Sequence, residues 1–259
     1  DASALAWVDI STGDFSVSTL PLVLLGPELA RLAPSEVLLS EKSFQDLETL
    51  IEESGAAPTP ISASSFDSTS AENRLLKTFK LATLDSHGGF SRAELSALGA
   101  IVDYLDITQK GSLPLLQPPK RHISAKTMKI DAATRRNLEL THALSGTRNG
   151  SLLATIDQTL TAAGGRLLEH RIGSPSLDID VLNNRQNAIS ALIAHSPVLD
   201  KLREHLRHIP DVARALSRLA LNRGGPRDLG SIRSALHQAE AIADVMQTSP
   251  LCPELGSRS

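Results

Sequence analysis

The sequence predicts an α/β domain over residues 1–119 followed by an all-helical domain over residues 120–259. Three observations carry this reading. First, apolar residues fall into short strand-like runs alternating with helical stretches in the first part, and at helical spacing alone in the second. Second, all seven aromatic residues, Trp7, Phe15, Phe44, Phe66, Phe79, Phe90 and Tyr104, precede residue 105. Third, residues 1–119 hold 7 Lys and Arg against 16 Asp and Glu, a net charge of −9, whereas residues 120–259 hold 19 against 13, a net +6. The charge and aromatic shifts meet at a Pro-rich stretch, Pro114 to Pro118-Pro119, the composition of a domain boundary.

In the first domain, residues 4–10 form a near-continuous apolar run, the pattern of a largely buried strand. Ser11-Thr-Gly-Asp14 is a turn in which Gly13 can take a positive φ, and the alternating Phe15–Leu20 returns as the hairpin partner. A short helix over 27–32, a strand over 36–40, a helix over 43–53 and a short strand over 58–61 follow. A further helix is expected over 69–79. Ser91, with Glu94 three residues on, makes a capping box for a helix whose apolar stripe is Leu95, Leu98, Ile101, Val102 and Leu105, with Gly111 as its stop. Strands and helices in this order predict a sheet covered by helices.

The second domain opens with an extended segment over 127–130 and a helix capped by Asp131, with Ile130 as a hydrophobic staple and Leu138, Leu140 and Leu144 as apolar anchors. Arg135 and Arg136 fall near the polar side. Ser151 caps a short helix. A helix over 161–172 follows, with Leu167, Leu168 and Ile172 inward. Its Gly164-Gly165 pair points to a close helix–helix approach, because each Gly otherwise costs about 1 kcal/mol relative to Ala. Asp178, Ser196-Pro197, Asp211 and Pro226 start four more helices, the last with Leu229, Ile232, Leu236 and Ile242 on its core face. Short loops between them make this a bundle.

Three blocks carry a resemblance. Asp131-Ala-Ala-Thr-Arg-Arg-Asn-Leu-Glu-Leu140 closely resembles the start of the core, or lever, domain of the MutS family of DNA mismatch-repair ATPases. Asp211-Val-Ala-Arg-Ala-Leu-Ser-Arg-Leu-Ala-Leu-Asn-Arg-Gly-Gly-Pro-Arg-Asp-Leu229 resembles a later part of the same domain, and Asp9-Ile-Ser-Thr-Gly-Asp-Phe15 resembles the first hairpin of the family's connector domain. Gly164 and Arg166 match the family's Gly-x-Arg pattern, while Arg171-Ile172 stands where an aromatic is common. The blocks lie in the family's order and span nearly all of the chain. The resemblance implies a ribonuclease H-like connector at 1–119, the start of the lever at 120–259, and a docking surface for MutL on the connector. It also implies helices that relay conformational change, a homodimeric parent, and a bacterial, cytoplasmic and nucleoid-associated setting. The family's Phe-x-Glu mismatch wedge has no counterpart, because no Phe is followed two residues later by Glu. Nor does any Gly-Lys pair occur, as a Walker A loop for ATP and Mg²⁺ requires. The expectation is an internal, non-catalytic piece with no cofactor of its own. The mismatch-reading domain would then precede Asp1, and the clamp and ATPase would follow Ser259.

Two other chemistries merit a test. Asp9 lies on the first strand, where a ribonuclease H-like nuclease places a metal-binding carboxylate, with Asp14, Glu36, Asp85 and Asp103 as candidate partners. The competing structural reading has Asp9 and Asp14 bonding the backbone of their own turn. Arg214, Arg218 and Arg223 line one side of a helix, and Lys201, Arg203 and Arg207 another, so a basic DNA-binding module is the second alternative, with Arg214 and Arg218 as its candidate contacts. The competing reading for these is a solvated face or ion pairs. His205 and His208 share a helix at i,i+3 without an evident third metal ligand, and the single Cys252 excludes an internal disulfide framework. The longest apolar runs are far short of the roughly 18 residues of a membrane helix.

Overall fold

A computed structural model describes residues 3–84, 89–109, 113–122 and 126–249. Asp85, Gly111 and Cys252 lie outside the described residues. The chain divides into two compact units, one comprising residues 1–125 and 129–137, the other residues 126–128 and 138–259.

In the first unit, β1 (Ser3–Asp9) and β2 (Asp14–Leu20) form an antiparallel hairpin, Val8 opposite Phe15 and Leu5 opposite Ser18. Gly13 has φ +77°, as the turn demands, and a Cβ there would also run into the Leu115 carbonyl oxygen. The returning segment is thus laid directly over the turn, and the Gln117 N–H donates to the Gly13 carbonyl at 2.8 Å. After α1 (Leu25–Leu32) come β3 (Glu36–Ser40), α2 (Glu41–Glu53), β4 (Ala57–Ile61), α3 (Ser68–Phe79) and α4 (Arg92–Thr108). The two-residue β5 (Lys120–Arg121) runs parallel to β2, and α5 (Ala132–Asn137) completes the unit.

The strands form two sheets, a three-stranded one in the order β1-β2-β5 and a parallel pair β3-β4. β1 is therefore an edge strand. Its residues are half-buried where the apolar run predicts a buried one, because no described strand pairs with it on the side away from β2. One apolar cluster unites Phe15 and Val17 of β2 with Ala71 and Leu75 of α3 and Leu95, Leu98, Val102 and Leu105 of α4. At Gly99 a Cβ would strike Ala71, so the missing side chain is what lets α3 and α4 touch. A second cluster joins Leu20, Leu25, Leu29, Leu39, Ile51 and Ala56.

The second unit holds α6 (Leu152–Ile156), α7 (Ala162–Gly173), α8 (Ile179–Ala194), α9 (Ser196–Arg207), α10 (Val212–Ala220) and α11 (Pro226–Gln247). Its caps are local and regular. Ser151, Thr161, Asp178 and Asp211 each accept a bond from the backbone N–H three residues on, meeting a donor the first helical turn leaves open. Thr127 bridges Ser176 in an isolated antiparallel pair.

Several expectations are corrected. Asp131 does cap α5, accepting from the Thr134 N–H at 2.9 Å, and Ile130 is buried. The helix then stops at Asn137, and Glu139 takes a positive φ, so Leu138 and Leu144 are exposed and Leu140 alone of the three anchors is buried. Ser196 is the first residue of α9 rather than its cap; His195 holds that position without a side-chain bond to the first turn of α9. The Gly164-Gly165 pair faces Thr159 and Thr161 of the preceding loop, not another helix. On α11, Leu229 and Leu236 are exposed and Ala235 is buried, because the close neighbours α9 and α10 meet a narrower stripe than the periodicity implies.

Candidate functional site

The hairpin carboxylates are engaged locally. Asp9 accepts from the Ser11 N–H at 2.8 Å and the Ser11 hydroxyl at 2.7 Å, and the Thr12 hydroxyl donates to Asp14 at 3.2 Å. Burial works to raise the Asp9 carboxyl, but the Ser11 and Thr12 bonds hold it below its ordinary value. Asp9 thus bonds the backbone of its own turn, as the structural reading of the sequence expects, whereas the Asp14 carboxylate meets a hydroxyl rather than the backbone. Glu36 accepts from the Thr59 and Tyr104 hydroxyls at 2.6 and 2.8 Å, while Asp103 pairs with Arg74 at 2.9 Å and accepts from Ser65 at 2.6 Å. Asp85 lies outside the described residues. Among the described residues no group of three or more His, Cys, Asp or Glu is gathered as a metal site would require.

Asp9 and Glu36 do border one cavity, of about 710 Å³. Its walls are unusual in that consecutive residues, 4–11 along and just after β1 and 33–38 around β3, line it. A strand presenting a face contributes alternate residues, so consecutive ones mean that both strands present their edges. Ala97, Ile101 and Tyr104 of α4 close one side of it.

The basic residues of the second unit are drawn into pairs. Arg166 holds Asp211 through two bonds of 2.7 and 3.0 Å, joining α7 to the start of α10, and Arg214 adds a looser contact of 3.5 Å to the same carboxylate. The Arg166 bonds, aided by Arg214, keep Asp211 below its usual value against burial. Arg218 pairs with Asp228, which also accepts from the Gly225 N–H at 3.0 Å and so ties α10 to the start of α11. Both nominated DNA contacts, Arg214 and Arg218, thus have acidic neighbours inside the unit. His205 is half-buried with Nδ1 3.0 Å from Gln238 Oε1 on α11, and His208 ends α9, so the structure gives the two histidines separate surroundings.

The geometry also singles out residues that spacing alone misses. Glu94, whose side chain is 2% exposed, accepts from Arg121 Nε at 2.8 Å and Nη2 at 2.9 Å, from the Ser91 N–H at 2.8 Å and from the Thr19 hydroxyl at 3.3 Å. Burial opposes ionisation, but these bonds, Arg121 first, lower its pKa to about 2. The capping box announces Glu94. Nothing in the sequence announces Arg121, which lies 27 residues away. Arg31 is a second such case through Trp7, over whose ring it sits 5.2 Å from the centroid; its 2.7 Å bond to Glu28 is an ordinary i,i+3 pair. Arg135, expected on a polar face, is half-buried, and burial together with Arg31 lowers its pKa while Glu28 opposes the shift.

Comparison with known proteins decides the family. The family profile described as MutS domain II matches residues 1–117, and that described as MutS domain III matches residues 133–257. The chain belongs to the MutS family. It is 55% identical over 255 residues to a DNA mismatch repair protein MutS of Roseobacter denitrificans, covering 98% of this chain and 29% of that protein. The MutS of Ruegeria pomeroyi is 57% identical over 242 residues, covering 93% of this chain and 28% of its own length, and that of Paracoccus denitrificans 55% over 246, covering 95% and 28%. The chain therefore spans about 29% of the length of the curated MutS relatives it matches. Asp9, Asp14, Glu36 and the Glu94–Arg121 pair fall within or beside the domain II match, and Arg166, Asp211, Arg214 and Arg218 within the domain III match.

Proposed function

We propose that this chain is the connector and the beginning of the lever of a mismatch-recognition protein, and that its work is coupling and docking rather than chemistry. The observation that carries this reading is the ordered pair of matches, domain II then domain III, at about 55% identity over nearly the whole chain. The first unit is the docking surface for MutL. The net −9 of residues 1–119 supports an electrostatic contribution to the rate of that encounter. The helices of the second unit carry conformational change between the ATP-binding and DNA-binding parts of the longer protein. Charge-paired helix starts such as Arg166–Asp211 and Arg218–Asp228 suit a relay that moves as rigid elements.

On this reading the first unit is a ribonuclease H-like module without nuclease chemistry. Its five strands supply the pieces of one mixed sheet, with β1 and β3 as neighbours across the cavity they both edge. ATP, Mg²⁺, mismatch contact and homodimer formation belong to other parts of the parent, in the bacterial cytoplasm on the nucleoid. The test is calorimetric titration of this chain with the N-terminal domain of MutL, with duplex DNA in parallel. Heat of binding to MutL without binding to DNA is expected. Salt-sensitive binding to DNA alone, weakened by Arg214→Ala with Arg218→Ala, would replace the docking reading with a DNA-contact one. Absence of binding to both would remove docking and leave the scaffold role.

A further inference from the structure

Between Leu115 and His122 the segment that brings β5 to the sheet is held in two different ways. Upstream the hold is apolar and close-packed. Leu116 is buried, Pro119 is among the most buried residues of the chain, and the Leu115 carbonyl lies against Gly13. Downstream of Pro119 the character changes. β5 is two residues long and both are exposed. A strand this short gains little from its ladder, and a parallel pairing gains slightly less per residue than an antiparallel one. Lys120 reaches back only along its own segment, to Gln117 Oε1 at 3.1 Å. The His122 N–H donates to the Val17 carbonyl at 2.8 Å, and its ring meets Trp7 edge-on at 5.7 Å.

Arg121 is the exception. Its guanidinium binds both oxygens of the buried Glu94, donates to the Gly89 carbonyl at 2.7 Å and lies over Phe90, 5.4 Å from the ring centroid. Two parallel charge-assisted bonds to a carboxylate are the strongest polar contact a side chain offers. Glu94 is prepared for it. It is fixed on the first turn of α4 by the Ser91 capping box, and its depressed pKa keeps it ionised throughout the physiological range. Removing the guanidinium leaves a desolvated carboxylate facing no cation, the costly half of a broken pair.

We propose that Glu94 and Arg121 form a latch that holds residues 120–122 in the sheet, and that release of this one pair peels the strand away as far as Pro119 while the rest of the first unit stays folded. Peeling frees three residues, about 10 Å of extended chain, from the sheet. The latch thus sets whether β5 stays in the sheet, and it opens sideways from the edge of that sheet.

Amide hydrogen exchange on the full chain, resolved at His122, at β2 and at the middle of α4, tests this. In Arg121→Met the His122 amide is expected to exchange at least tenfold faster than in the wild type, with the amides of Ser18, which faces β1, and of Leu98 changed less than twofold. Arg121→Lys, which keeps the charge but loses the fork, is expected to fall between the two at His122. Unchanged exchange at His122 would overturn the proposal, since the strand would then hold without the pair. So would a common acceleration at all three places in either variant, or loss of folding in the conservative Arg121→Lys, because the pair would then be a support of the whole unit.

Discussion

The two units are built from helices of similar length but are held by different forces. In the first, Phe15, Leu75, Leu98 and Val102 are at most 1% exposed, and two apolar clusters draw on β1, β2 and β3. In the second, the buried apolar side chains among the described residues are few, Leu140, Leu153, Ala215 and Ala235, while Ile179, Ile189, Ile193, Leu229 and Leu236 are each more than half exposed. Both units cap most of their helices, and the second adds ion pairs that tie one helix to the start of another, Arg166–Asp211 and Arg218–Asp228. Aromatic content explains much of the difference. Large flat side chains bury 150–250 Å² each, and all seven of them lie in the first unit. A unit without them must be held by many small contacts.

Point substitutions sharpen this contrast. Leu98→Ala, at a fully buried position on α4, is expected to cost about 2–5 kcal/mol, read as the fall in the first unit's urea midpoint, because a cavity opens in close-packed surroundings. Arg166→Ala in the second unit is expected to cost about 1–2 kcal/mol by the same measurement. It removes a bidentate pair, but the partners are 30% and 20% exposed and water partly replaces the lost bonds. Leu236→Ala, although it deletes the same side chain as Leu98→Ala, is expected to stay within about 0.5 kcal/mol, because the leucine is 64% exposed. Equal losses for the two leucines would mean that the units share one kind of core and would break the comparison.

Acid separates the units differently. The Glu94 carboxyl is depressed in the folded state to about 2 from 4.5. The stability it contributes is therefore complete above pH 4.5 and lost as the pH falls from there through about 2. The first unit's thermal midpoint is expected to fall across that window, with a shallower fall in Glu94→Gln. A slope unchanged by the substitution would assign the acid sensitivity to other carboxylates, such as Asp9 with its turn bonds.

Much was legible in the sequence because it depends on neighbours three or four residues apart. The Ser91–Glu94 capping box, the Asp131, Ser151, Asp178 and Asp211 caps and the positive φ of Gly13 all appear where residue chemistry places them. Family membership is equally a property of the order of residues, carried by the blocks at 9–15, 131–140 and 211–229. The tertiary structure alone decided the rest. It left β1 at a sheet edge despite its apolar run, turned Leu229 and Leu236 outward, and gave Arg121, Arg166 and Arg218 their acidic partners. The reason is distance along the chain. A cap closes within one helical turn, whereas Glu94 and Arg121 are 27 residues apart and Arg166 and Asp211 are 45 apart. Such pairs meet only after the intervening elements have packed, and periodicity reports that a face is apolar without saying whether another element arrives to cover it.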